Sequence, residues 1–477
     1  MSIYGFYIFL YLLISIIFAV YIVFKENPSK KIISFSVVFW LLTFNMYKSR
    51  MVIGSVPGIR YVKKADELLG YLFLALLTLV FVSSSRKTSS LSKKPLYEKY
   101  LVGYLGLTIV LHGVHSYLGN IQSYKAFIFA RLTLSALLIF WGVRKFISKE
   151  LIKALLKSVV FIGIATSFLS VIQFFIDTKV VRIGAFHSAF MGFHRSSGIF
   201  MQPYDNGLFL ILAIYTALYI IRDRKLKIML VAFFALGMIL TFTRGIWISF
   251  ILVTVFHLYY YYKHTFQKYL AIFSIVFFLG TLTMGTYIIQ KDLFSNTAFT
   301  DRVFADTVTI RIVFYKFIIE ALPDAWLIGY GDVVDNEVYF QGMVDSNQGL
   351  YWAMGRQGSI HNMFLEVAFL QGIFASIVFT MMFIYFFRYN VRESIKHKSF
   401  VYCLPNYYVM GFFFYFFSVA GFLLSRRGFL SIFMFAIISG IKHNNIDVSG
   451  ITIPMNAENL RIPKNRTSDE TKVKDKR

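Results

Sequence analysis

The feature that most limits how this chain can fold is a succession of apolar runs, many of them close to the roughly 17–25 residues that cross a bilayer as one helix. The candidates are Phe6–Phe24, Ile32–Tyr47, Leu68–Val82, Tyr100–Leu118, Ala126–Val143, Leu155–Ile176, Gly207–Ile221 and Leu226–Phe242, followed by Gly245–Tyr262, Tyr269–Ile289, Met363–Phe387, Tyr407–Leu424 and Gly428–Ile441. In lipid every backbone N–H and C=O must be satisfied within the protein, which leaves helical bundles and closed barrels. These runs are continuous rather than alternating, so they read as helices. Only 15% of residues are charged, against about 25% in soluble domains. The expected fold class is an all-α polytopic membrane protein, a bundle of about 12–13 transmembrane helices with one large extracytoplasmic loop.

Charge orients the bundle. The formal net charge is +25, and the Lys and Arg residues sit mostly between the runs, which points to topology rather than to nucleic acid. The segments Lys25–Lys31, Arg86–Lys99, Arg144–Lys157, Arg222–Lys227, Lys263–Lys268, Arg388–Lys398 and the tail from Lys442 fall on one side if the spans alternate. That side is expected to be cytoplasmic. Lys48–Lys64 runs against this pattern. The first run lacks a basic leader and a small-residue cleavage site, so it reads as a retained span. One cysteine, Cys403, rules out an internal disulfide and a multi-cysteine metal site. The domain reading is an N-terminal bundle over 1–289, a large extracytoplasmic loop over 290–362, C-terminal membrane helices over 363–441 and a disordered cytoplasmic tail over 442–477.

The polar interval from Asp292 to His361 is the long break in the apolar pattern, and it is where a membrane protein can place aqueous chemistry. It holds a short amphipathic segment, Thr309–Ala321, then Pro323 and a Gly-rich turn through Gly329 and Gly331. Three arginines fall on the outward side. Arg195 lies in Arg195-Ser196-Ser197-Gly198, ahead of Pro203 and Asn206. Arg244 lies in the short hairpin Thr241-Phe242-Thr243-Arg244-Gly245, and Arg311 opens the amphipathic segment. Each alone reads equally well as an interfacial anchor. Together they fit an anionic ligand, because a guanidinium fork grips phosphate oxygens in pairs. His361 stands at the junction of loop and helix, where a neutral imidazole can accept a proton near neutral pH. Asn362 is placed to orient it. Gly372 is expected on the same helical face as His361, three turns on. Arg131, His112 and His115 lie inside apolar runs, and the two histidines read as bundle packing.

These motifs carry a resemblance. His361-Asn362, nine residues and then Gly372 looks like the His-[Asn/Ser/Gln]-x9-Gly motif of bacterial O-antigen ligases. The Arg195–Asn206 passage resembles their preceding outward loop, and Phe242-Thr243-Arg244-Gly245 is similar to their Thr-x-Ser-Arg-Gly hairpin. The O-antigen and capsule repeat-unit polymerases of the same superfamily, GT-C-type membrane glycosyltransferases, fit as well. The resemblance implies metal-independent glycosyl transfer without a cofactor, at the extracytoplasmic face of a bacterial inner membrane. It implies an undecaprenyl-diphosphate-linked glycan as donor and another glycan or lipid A-core as acceptor, with membrane lipids as further partners. It also implies His361 as base, Arg195, Arg244 and Arg311 on the diphosphate, and Asn362 and Gly372 in support. The competing reading is a transporter or flippase of lipid-linked oligosaccharides. Transporters favour paired repeats and mid-membrane polar residues, whereas this sequence shows no evident repeat and gathers its polar residues in one loop.

Overall fold

The computed structural model describes residues 95–121, 123–175, 189–190, 193–200, 203–261, 318–331, 362–415 and 426–452. Among the described residues nine α-helices carry the architecture. They are α1 (Leu96–Tyr117), α2 (Ser123–Phe146), α3 (Lys149–Phe175), α4 (Pro203–Ile220), α5 (Arg224–Ile239), α6 (Arg244–Tyr261), α7 (Met363–His397), α8 (Cys403–Tyr415) and α9 (Arg426–His443). A two-residue antiparallel ladder, Ala189–Phe190 with Phe193–His194, is the β-structure in this part. Each helix coincides with one of the apolar runs. The runs Phe6–Phe24, Ile32–Tyr47, Leu68–Val82 and Tyr269–Ile289 lie outside the described residues.

The helix that is apolar on every side lies in the middle, because it has no polar face to offer solvent. That helix is α4, whose residues from Asn206 to Ala217 are all buried. It packs against α3, α5, α6 and α8. α1 runs antiparallel to α7 along a ladder of rings: Tyr97 on Phe386, Tyr100 stacked on Tyr385, and Tyr104 on Phe379. The outer faces of α1, α3 and α7 carry large exposed apolar side chains, among them Val110, Phe161, Phe168 and Phe374. Two helices, α3 and α7, are long and apolar enough to cross a membrane, and Gly245–Tyr261 and Leu430–His443 are shorter apolar helices.

One end of the bundle gathers the basic segments. There Arg144 pairs with buried Glu98 at 3.0 Å, and the other Glu98 oxygen accepts from Ser439 Oγ at 2.6 Å. Lys149 reaches Asp447 at 3.1 Å. Residues 442–452, expected to be a disordered tail, belong to the folded body at this end. Asn444 Nδ2 donates to the carbonyls of Arg144 and Ile147, closing the end of α2. Val448 and Ile451 are buried, apolar anchors that a composition count averages away. Residues 453–477 lie outside the description.

Candidate functional site

Two constructions lie toward the opposite end. The first begins on α3, where Thr166, Ser170 and Gln173 share one face by their spacing of three to four residues. All three are buried. Gln173 Oε1 accepts from the amides of Ser197 and Gly198, at 2.9 and 2.8 Å, and its Nε2 donates to the Gly198 carbonyl at 2.8 Å. Thr166 Oγ1 donates to Asn206 Oδ1 and accepts from the Ile199 amide, while Asn206 Nδ2 donates to Ser170 Oγ. Gly198 has φ +57°, and a Cβ there would lie 1.9 Å from Thr166 Oγ1. Position 198 therefore has to be glycine for the loop to close on α3.

The loop so fixed presents Arg195 to the α5–α6 hairpin. Arg195 Nε donates to the Thr241 carbonyl at 3.2 Å and Nη2 donates to Thr243 Oγ1 at 2.7 Å. The Ser196 amide donates to the Leu240 carbonyl at 3.0 Å. Phe242, at the turn with φ 46°, stacks its ring on Phe174. Two motifs far apart in sequence thus form one unit. Arg244 opens α6 within it, and its side chain lies outside the described residues.

The second construction is a reversal in α7. Gly372 has φ 88° and ψ 164°, values no helix contains. Ser376 Oγ donates to the Phe364 carbonyl at 3.0 Å, although the two are 12 residues apart. In a straight helix they would be about 18 Å apart. The short arm, 363–371, therefore folds back against the long arm, 373–397. The Phe364 ring lies 5.7 Å from Phe379 and 5.0 Å from Phe413 on α8. Phe364 is level with Ser376 and Phe379, roughly 5–9 Å down the long arm from Ile373. Ala368 and Ala375, both buried, allow the close approach of the arms.

Breaking a helix leaves orphan amides and carbonyls, and the segment 318–331 supplies their partners. The amides of Tyr330 and Gly331 donate to the carbonyls of Phe369 and Leu370, at 2.8 and 3.1 Å, and the Ile373 amide donates to the Trp326 carbonyl at 2.8 Å. The two backbones touch. A Cβ on Gly372 would lie 2.2 Å from the Leu327 carbonyl oxygen, and one on Gly329 would lie 2.4 Å from the Leu370 carbonyl carbon. Tyr330 stacks on Phe369 and donates its hydroxyl to the Ala321 carbonyl. His115 at the end of α1 donates from Nε2 to the Ile328 carbonyl and accepts at Nδ1 from Asn120. His112 donates to the Thr108 carbonyl. Both histidines therefore serve packing.

The expected residues fare differently. His361 and Arg311 lie outside the described residues. Asn362 is the N-cap of α7: its Oδ1 accepts from the amides of Phe364 and Leu365. That carboxamide oxygen is engaged by the helix start. The expectation for Gly372 is overturned. It does not continue the helical face that begins after His361, because the helix reverses at Gly372 and the glycine's role is the reversal itself. The start of α7 is likewise not at the end of the bundle but beneath it. The residues that sequence alone did not single out are Thr166, Ser170, Gln173 and Tyr330. A polar stripe at helical spacing in the otherwise apolar α3 is the signal that marks the first three.

Among the described residues the chain is a helical bundle in which two helices are long and apolar enough to cross a membrane, with its arginine loop and broken helix toward the end away from the basic segments. Residues 228–380, about a third of the chain, match the family model described as O-Antigen ligase. The matched stretch takes in most of α5, the hairpin, α6, the 318–331 segment and the reversal of α7, and it upholds the resemblance to the O-antigen ligase family. The family implies a membrane-associated, glycosyltransferase-like enzyme acting on a lipid-linked glycan and an acceptor. No curated protein matches the chain.

Proposed function

We propose that the protein transfers a glycan from undecaprenyl diphosphate to an acceptor hydroxyl, as a repeat-unit polymerase or a ligase, at the outer face of the cell membrane. The observation that carries this reading is the bonding of Arg195 to Thr241 and Thr243. It joins two of the three arginine motifs at one end of the bundle, opposite the basic end. Lys and Arg mark the cytoplasmic side, so the arginine unit faces outward. In the proposed step the acceptor oxygen attacks the anomeric carbon, and the bond from that carbon to the diphosphate oxygen breaks. Undecaprenyl diphosphate leaves with the electron pair, and the acceptor proton passes to His361. Arg195, Arg244 and Arg311 offset the charge growing on the diphosphate. His361 immediately precedes Asn362, whose place beneath the end of the bundle supports a recessed site.

The test is transfer and donor binding measured on the same reconstituted protein. General-base help is worth about 10²–10⁴-fold, so His361→Ala should lose transfer on that scale and keep donor binding. Near-normal transfer by this variant would rule out the base. Loss of donor binding together with transfer would move His361 into the diphosphate site.

A further inference from the structure

We infer that the segment 318–331, part of the long polar interval, is seated in the interfacial layer of the bilayer, with lipid covering its outer face. The inward face is settled by contacts: Ile318, Gly329 and Gly331 are buried, and Tyr330 lies on Phe369. The outward face is apolar and uncovered, with Ile319 57%, Trp326 56% and Leu327 58% exposed. The bond from the Ile373 amide to the Trp326 carbonyl sets this face beside the start of the long arm of α7. There Phe374 and Ile377 are also exposed. The bond from His115 to Ile328 sets it beside the end of α1, where Tyr117 and Leu118 are exposed.

The apolar surface therefore continues without a step from the long arm of α7 onto the segment. What covers the one covers the other. The chemistry of the segment fixes its depth. Trp326 and Tyr117 are of the residue types that collect at the headgroup level. Glu320 and Asp324, both exposed, cannot enter hydrocarbon without a large cost and hold their turn at the water side. The segment is thereby held at the depth of lipid headgroups, where a lipid diphosphate also lies, and the reversal at Gly372 lies deeper, with Gln371 bonded to Thr108 midway along α1.

This inference rests on the membrane-spanning reading of α7, and the experiment separates the two. Trp40, Trp141, Trp247 and Trp352 are replaced by Phe, leaving Trp326 as the single reporter in phosphatidylcholine–phosphatidylglycerol vesicles. Trp326 should emit to the blue of free tryptophan and resist acrylamide. Lipids with a nitroxide near the headgroup should quench it more than lipids with one deep in the chain. A second variant carries Ile377→Trp on the same background without Trp326, and the deep nitroxide should quench it. Free-tryptophan acrylamide quenching of Trp326, with deep quenching at position 377, overturns the seating and leaves the span intact. Absence of lipid quenching at both positions overturns both. If the multiple variant does not accumulate, a Leu327→Cys protein labelled with an environment-sensitive dye gives the same readings, because the native Cys403 is buried.

Discussion

Arg195 does two jobs in this account, and single substitutions separate them. Its fork holds the Thr241 carbonyl and Thr243 Oγ1, and it is proposed to meet the donor diphosphate. Thr243→Val removes one partner of the fork and keeps the guanidinium. Arg195→Lys keeps the charge and removes the fork. If the guanidinium contacts the diphosphate, Arg195→Lys should weaken donor binding by about tenfold or more, the scale of one charge-assisted hydrogen bond at about 1.5–3 kcal/mol. Thr243→Val should then stay within a few-fold of the parent. Equal losses in the two variants would reduce Arg195 to a strut for the hairpin. Donor binding by the purified protein in nanodiscs is the measurement.

At the scale of elements, α7 is the instructive case. Its apolar run from Met363 to Phe387 reads as one span, yet it contains a reversal. The reversal depends on a glycine in a left-handed conformation and on a separate segment that satisfies the broken helix. Gly372→Ala adds a Cβ into the Leu327 carbonyl at a φ that side chains avoid. It should cost more than about 2–3 kcal/mol, seen as a lowered melting temperature in detergent, with transfer lost. An unchanged melting temperature would mean that α7 is straight in the folded protein. Gln173→Ala makes the parallel test on α3. It strips two buried amides and one carbonyl of their partner, at about 1–3 kcal/mol for each group left unsatisfied. The Arg195 loop should then become open to protease while α3 and α4 persist. Continued protection of that loop would show that the Thr166–Asn206 bonds hold it unaided.

At the scale of the molecule, the basic end is a structural centre as well as a topological marker. Glu98→Ala leaves partly buried Arg144, beside His443, without its counter-charge, which should cost up to about 3–5 kcal/mol and lower the yield of folded protein. Wild-type yield and thermal stability would show that the pair is solvated. The topology itself is open to impermeant thiol labelling, since Cys403 is fully buried. A cysteine at Lys396 should label after permeabilisation and stay silent in intact cells. Labelling from outside would invert the bundle and with it the proposed side of the reaction.

By itself the sequence determined where the described helices lie, because a bilayer-length apolar run admits little other than a helix, and it marked Arg195, the Thr241–Gly245 hairpin and Gly372 as special. The tertiary structure decided what those positions do. Gly372 was legible as a small residue. Its reversal was not, since a reversal needs Tyr330 and Gly331 to bring backbone donors from roughly forty residues away in the chain, and local periodicity carries no trace of such partners. The buried polar face of α3 was equally hidden, because Thr166, Ser170 and Gln173 become a socket only when Gly198 and Asn206 close on them. Tail residues Val448 and Ile451 are folded for the same reason. Span formation is a local decision between backbone and lipid, whereas sites, reversals and caps are settled by which groups meet across the chain.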